Sequence, residues 1–79
     1  MIVRIKMLFL DAMKELEKGK TIQKGKKKET QRFKKMDNYV VCFEWENTWN
    51  TGDVVYFIAD YSYDFTEDDA TFEDWQVVE

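Results

Sequence analysis

The groups that carry most protein chemistry are sparse in this 79-residue chain. There is no histidine, so the usual general base near neutral pH is missing. Ser62 is the only serine, with no obvious base beside it, and it sits among tyrosines. Cys42 is the only cysteine and lies within an apolar run, which suits an inert small hydrophobe better than a nucleophile. One thiol and no histidine give no structural zinc site and no internal disulfide. Carboxylates are plentiful, yet Asp60, Asp64 and Asp68 lack the spacing and central glycine of a calcium loop. The expectation is a protein that is not an enzyme and has no metal or cofactor.

Binding chemistry is better represented. Lys18 to Lys35 has the composition of a phosphate-contacting segment, or of a solvated loop with no such role. Its single aromatic, Phe33, offers little for stacking bases, so nucleic acid is an unfavoured partner. Gly19-Lys20 and Gly25-Lys26 match no phosphate-loop or dinucleotide pattern. Trp49 sits inside the polar turn NTWNTG, where a core role is hard to reach. It marks either an interface between subunits or the wall of a ligand site. A purine needs such flat apolar faces with a few polar groups at its edge, and Trp45, Tyr56, Tyr61 and Tyr63 offer further ones. Side-chain chemistry therefore selects Lys24 and Lys26 for phosphate and Trp49 and Asn50 for a ring. Trp45 and Trp75 are core residues by default.

The elements that must position these groups follow from periodicity. Phe9, Ala12, Met13 and Leu16 recur at i, i+3, i+4 and i+7, one apolar stripe of a helix that Gly19 would end. Before it, MIVRIK reads as a short strand or an extension, with Met7 an alternative start. Thr21 to Gln23 is a short strand. Lys24 to Asp37 is strongly basic with little to bury, and reads as a mobile loop or solvated hairpin. Asn38 to Trp45 is a strand with Tyr39, Val41, Phe43 and Trp45 on one face. Glu46 to Asp53 is a turn, and Val54 to Ala59 the partner strand. DYSYD is a loop or continues that strand. Thr66 opens a Thr-x-x-acid capping box for a helical turn, and Trp75 to Val78 is a last strand. The fold class is α+β: one domain, 1–79, with an amphipathic N-terminal helix on an antiparallel sheet of three to five strands.

Charge is split along the chain. All twelve Lys and Arg lie in 1–35 with four acids, whereas 37–79 holds twelve acids and no base. Either the halves fold face to face and neutralise each other, or a basic arm precedes an acidic surface. So small a core favours self-association. No apolar run approaches the ~20 residues of a membrane span. Asp11 interrupts the N-terminal apolar stretch too early for a secretory signal, and a cytoplasmic setting is expected.

Two stretches together carry a resemblance. FLDAMKELEKGKTIQ and FTEDDATFEDWQVVE resemble the opening and the ending of the Thoeris anti-defence sponge proteins of bacteriophages. The first is an amphipathic helix, Gly-Lys and a short strand; the second is an acidic turn leading into Glu-Asp-Trp and valines. The resemblance implies a helix on an antiparallel sheet and a homo-oligomer. It also implies a viral protein that sequesters a cyclic nucleotide immune signal, such as a cyclic ADP-ribose isomer, without cleaving it. The matched ending adds Asp74 and Trp75 to the candidate ligand-binding residues. The middle departs: the family has a Trp-Asn-Gly segment where this chain has KGKKKETQRF, so nothing carries over in 25–60. The competing reading is an acidic inhibitor acting on a host defence factor by protein–protein contact or DNA mimicry, motivated by the twelve uncompensated carboxylates.

Overall fold

A computed structural model describes residues 7–27 and 29–78. Helix α1 runs from Phe9 to Glu17. Its predicted stripe faces inward, with Ala12 and Leu16 buried and Phe9 and Met13 packed against them. The helix ends in a Schellman motif: the Lys20 N–H donates to Glu15 O (3.2 Å) and the Gly19 N–H to Leu16 O (3.0 Å). Gly19 takes a φ of +88°, and nothing lies within 4 Å of where its Cβ would be. Backbone conformation, not space, therefore asks for glycine.

Five strands follow in one antiparallel sheet: β1 Ile22–Lys24, β2 Arg32–Met36, β3 Tyr39–Asn47, β4 Val54–Asp60 and β5 Trp75–Val77. Their spatial order is β4-β3-β2-β1-β5, and helix α2, Glu67–Thr71, precedes β5. This is the expected α+β arrangement, with the N-terminal helix packed against the sheet.

The basic segment is the main correction. Part of what reads as a mobile loop or solvated hairpin is β2, the middle strand of the sheet. One side chain explains it: Phe33 is fully buried and anchors the strand. The cations on either side survive there because long stems lie along apolar surface while the charged heads reach outward. Lys35 does so by meeting Glu17 of α1 at 2.6 Å.

Register assigns the faces. Ile22 pairs with Phe33 and Phe33 with Cys42, so these three share the face covered by α1. Trp75 completes that core, its ring centroid 5.7 Å from that of Phe33. Phe65, Tyr63 and Phe72 close around it edge-on or tilted. Tyr39, Val41, Phe43 and Trp45 do share a face, but it is the opposite one, and Trp45 is half-buried there instead of in the core. Residues 61–66 form a loop, not a continuation of β4. The capping box is present: Thr66 Oγ1 accepts from the Asp69 amide, and Asp69 accepts from the Thr66 amide. The C-terminal stretch is thus turn and strand, with Met7 bridged to Trp75 on its outer side. The expectation for MIVRIK, residues 1–6, lies outside the described residues.

Candidate functional site

The face of the sheet turned away from α1 carries an open recess of about 320 Å³, lined by Thr21, Arg32, Lys34, Met36, Phe43, Tyr56 and Val78. Strand alternation creates it. Arg32 pairs with Phe43, and Tyr56 reaches the same face from β4 through its pairing with Trp45. The Arg32 guanidinium lies 3.9 Å from the centroid of the Tyr56 ring. Its Nε–H donates to Gln23 Oε1 at 2.9 Å. Gln23 is itself buried, and its amide donates to Gly25 O (2.8 Å) and Lys27 O (3.0 Å). One glutamine therefore fixes both the guanidinium edge and the start of the 25–31 loop. A planar cation held over a ring suits a stacked base or a forked phosphate contact. The Tyr56 hydroxyl at this site is buried and has no hydrogen-bond partner among the described residues.

A second recess of about 320 Å³ is lined by Lys24 to Lys27, Glu29, Thr30 and Asp74. It brings together three of the six residues chosen from sequence: Lys24, Lys26 and Asp74. Lys24 is already engaged, its Nζ 2.5 Å from Asp69 Oδ1, and its ring contact is with Phe72. Its role here is structural, which removes it as a free phosphate ligand. Lys26 is exposed on the loop, and Asp74 accepts from Gln76 Nε2 at 3.0 Å. Trp49 and Asn50 lie apart, at the tip of the β3–β4 hairpin on the far side of the sheet. Trp49 is 100% exposed and forms no wall with the other candidates. Trp75 is 0% exposed, so its ring faces the core and presents nothing to a ligand. Its indole N–H has no partner among the described residues.

Arg32, Gln23 and Phe43 escape sequence reasoning, whereas Tyr56 is among the aromatics it offers as purine walls. The signal for Arg32 was the alternation Arg-Phe-Lys, which marks a strand with one apolar and one cationic face. The charge of the surrounding segment concealed it.

Electrostatics concentrate around Asp69. Burial pushes its carboxyl up, but hydrogen bonds from Lys24, the Thr66 amide and Tyr63, with the charge of Lys24, outweigh it and bring it down to about 2. The Tyr63 hydroxyl, 2.6 Å from Asp69 Oδ2, is pushed well above its ordinary range by burial and then by that carboxylate. Lys24–Asp69 is also a bridge between the basic and acidic halves, whereas Lys35–Glu17 and Lys18–Glu15 lie within the basic half. Burial, followed by the charges of Glu44, Asp60 and Asp69, raises the Cys42 thiol to about 11.

Among the described residues no cluster of three or more His, Cys, Asp or Glu is placed to hold a metal ion. No described helix is long and apolar enough to cross a membrane. No protein-family model, curated protein or solved structure matches the chain.

Proposed function

We propose that this chain is a non-catalytic binding protein that sequesters a small anionic nucleotide on the open face of its sheet. The observation that carries the reading is the Arg32 guanidinium held over the Tyr56 ring, 3.9 Å from its centroid, with its Nε–H tied to Gln23. A pre-positioned guanidinium loses little freedom on binding and offers its terminal N–H groups to phosphate. Phe43 and Tyr56 supply flat apolar walls beside it. The similarity of both chain ends to the phage sponge family narrows the ligand class to cyclic nucleotide immune signals, cyclic ADP-ribose isomers foremost. This reading centres the site on Arg32, Tyr56, Phe43 and Gln23 instead of Lys24, Lys26, Trp49 and Asn50, chosen by side-chain chemistry, and Asp74 and Trp75, which the resemblance implies.

The test is direct. Purified protein is denatured and the supernatant searched for released nucleotide by mass spectrometry. Cyclic ADP-ribose isomers and cyclic dinucleotides are then titrated by calorimetry. Binding weakened at least about tenfold by Arg32→Ala, equivalent to ~1.4 kcal/mol, is the expected result. The Lys26→Ala variant should bind as the parent does. No heat with any member of the panel would remove the reading. A stoichiometric, salt-sensitive protein partner recovered from host lysate would instead favour the acidic-inhibitor alternative.

A further inference from the structure

Strand β4 is an edge of the sheet, and among the described residues no strand lies on its outer side. The opposite edge differs, because Met7 covers β5 with a Trp75 N–H to Met7 O bond of 3.0 Å. Proteins that stay monomeric protect such edges with lysine, proline, bulges or short strands. Here Val54 to Ile58 is VVYFI, with no charge and no proline, paired regularly to β3 on its inner side. The bulge falls beyond it, between the Ile58 and Asp60 pairings. Large apolar side chains stand exposed along this strand: Val55 at 44%, Phe57 at 46% and Ile58 at 40%.

The edge is also complementary to itself. Antiparallel pairing about a two-fold axis through Tyr56 sets Val54 against Ile58 and Val55 against Phe57 of the second copy. Asp53 then falls opposite Ala59, so no two like charges meet. Shifting the centre to Phe57 would draw the bulged residues into the ladder, so the Tyr56 register uses the regular stretch best.

We propose that two copies of this chain join along β4, centred on Tyr56, to make one continuous ten-stranded sheet. A two-fold normal to the sheet keeps both open faces on the same side. The two Tyr56 residues then stand on adjacent strands, with Cα atoms roughly 5 Å apart. Each copy thereby extends the other's Arg32–Tyr56 recess, which becomes one half of a shared groove. The pairing stands independently of the nucleotide reading; only this consequence for the site rests on it.

The experiment uses the ligand-free chain, so its outcome is separate from that reading. Light scattering after size exclusion, at about 100 µM, should give twice the 9.6 kDa of one chain. In the V55K/F57K variant, like charges oppose each other across the axis, and dimer affinity should fall at least about tenfold. The V55K/F57E variant makes those same pairs opposite in sign and should recover affinity. Both positions are half-exposed, and circular dichroism checks that the fold is kept. Concentration-dependent protection of the 54–58 amides from hydrogen exchange in the unsubstituted protein is the second readout. A single-chain mass at that concentration would overturn the proposal. So would a dimer indifferent to V55K/F57K, no recovery in V55K/F57E, or protection that ignores concentration.

Discussion

Replacing Asp69 by asparagine removes one charge from a carboxylate that accepts three hydrogen bonds at once. It receives Lys24 Nζ, Tyr63 Oη and the Thr66 amide, and its own amide closes the capping box on Thr66. The magnitude follows from linkage. Its pKa lies at about 2 in the folded protein against 3.8 for the unperturbed group. Roughly two units at ~1.36 kcal/mol each give about 2.5 kcal/mol. Because the folded value is the lower one, the unfolded chain takes up the proton first as pH falls. The stabilisation is therefore complete above about pH 4 and is lost progressively toward pH 2. Asp69→Asn also leaves Lys24 without its carboxylate at a site where its side chain is only 22% exposed. Together these should cost about 2–4 kcal/mol at pH 7, a fall in Tm of roughly 10–25 °C for a domain of this size. Urea unfolding followed by far-UV circular dichroism measures it across a pH series. The gap between parent and variant should shrink by about 2 kcal/mol from pH 6 to pH 2. A gap independent of pH, or a cost at pH 7 under about 0.5 kcal/mol, would refute the reasoning.

Other perturbations probe separate parts of the fold. Phe33→Ala should cost about 3–5 kcal/mol in urea unfolding, because it empties the centre of the sheet's covered face; a cost near that of a surface change would mean β2 is not anchored there. Cys42, with its thiol near 11 instead of 9.0, should be about 100-fold poorer in thiolate at pH 8 and react slowly with a disulfide reagent until denaturant is added. Rapid native labelling would contradict its burial. Trp49→Ala should leave stability within about 0.5 kcal/mol and remove the tryptophan emission most accessible to iodide. Gly19→Ala should cost about 1 kcal/mol, since alanine meets the same open space but not the same φ.

How much of this was legible in the sequence depended on whether one residue dominated its segment. The α1 stripe was readable because four apolar residues recur at helical spacing and a glycine closes them. The Thr66–Asp69 box was readable because capping is local chemistry. Strand β2 was not, since one phenylalanine among cations gives no pattern until neighbouring strands bury it. The faces of β3 were legible as alternation, but which face meets α1 is decided by Phe33 and Cys42 pairing across strands. The candidate site suffered most. Side-chain chemistry selects Lys24, which the fold uses for a bridge, and the resemblance adds Trp75, which the fold keeps in the core where its residue type places it by default. Arg32 and Tyr56 are 24 positions apart and meet only through the pairing of β2, β3 and β4.

The claim that a nucleotide is held on the open face is tested most directly by following ¹H–¹⁵N shifts while a cyclic ADP-ribose isomer is titrated in. The expected result is saturating shifts at the Arg32 Nε–H, the Gln23 side-chain amide, and the backbone of Phe43 and Tyr56. Shifts confined to residues 25–30 and Asp74, or a spectrum unchanged by every isomer, would contradict it.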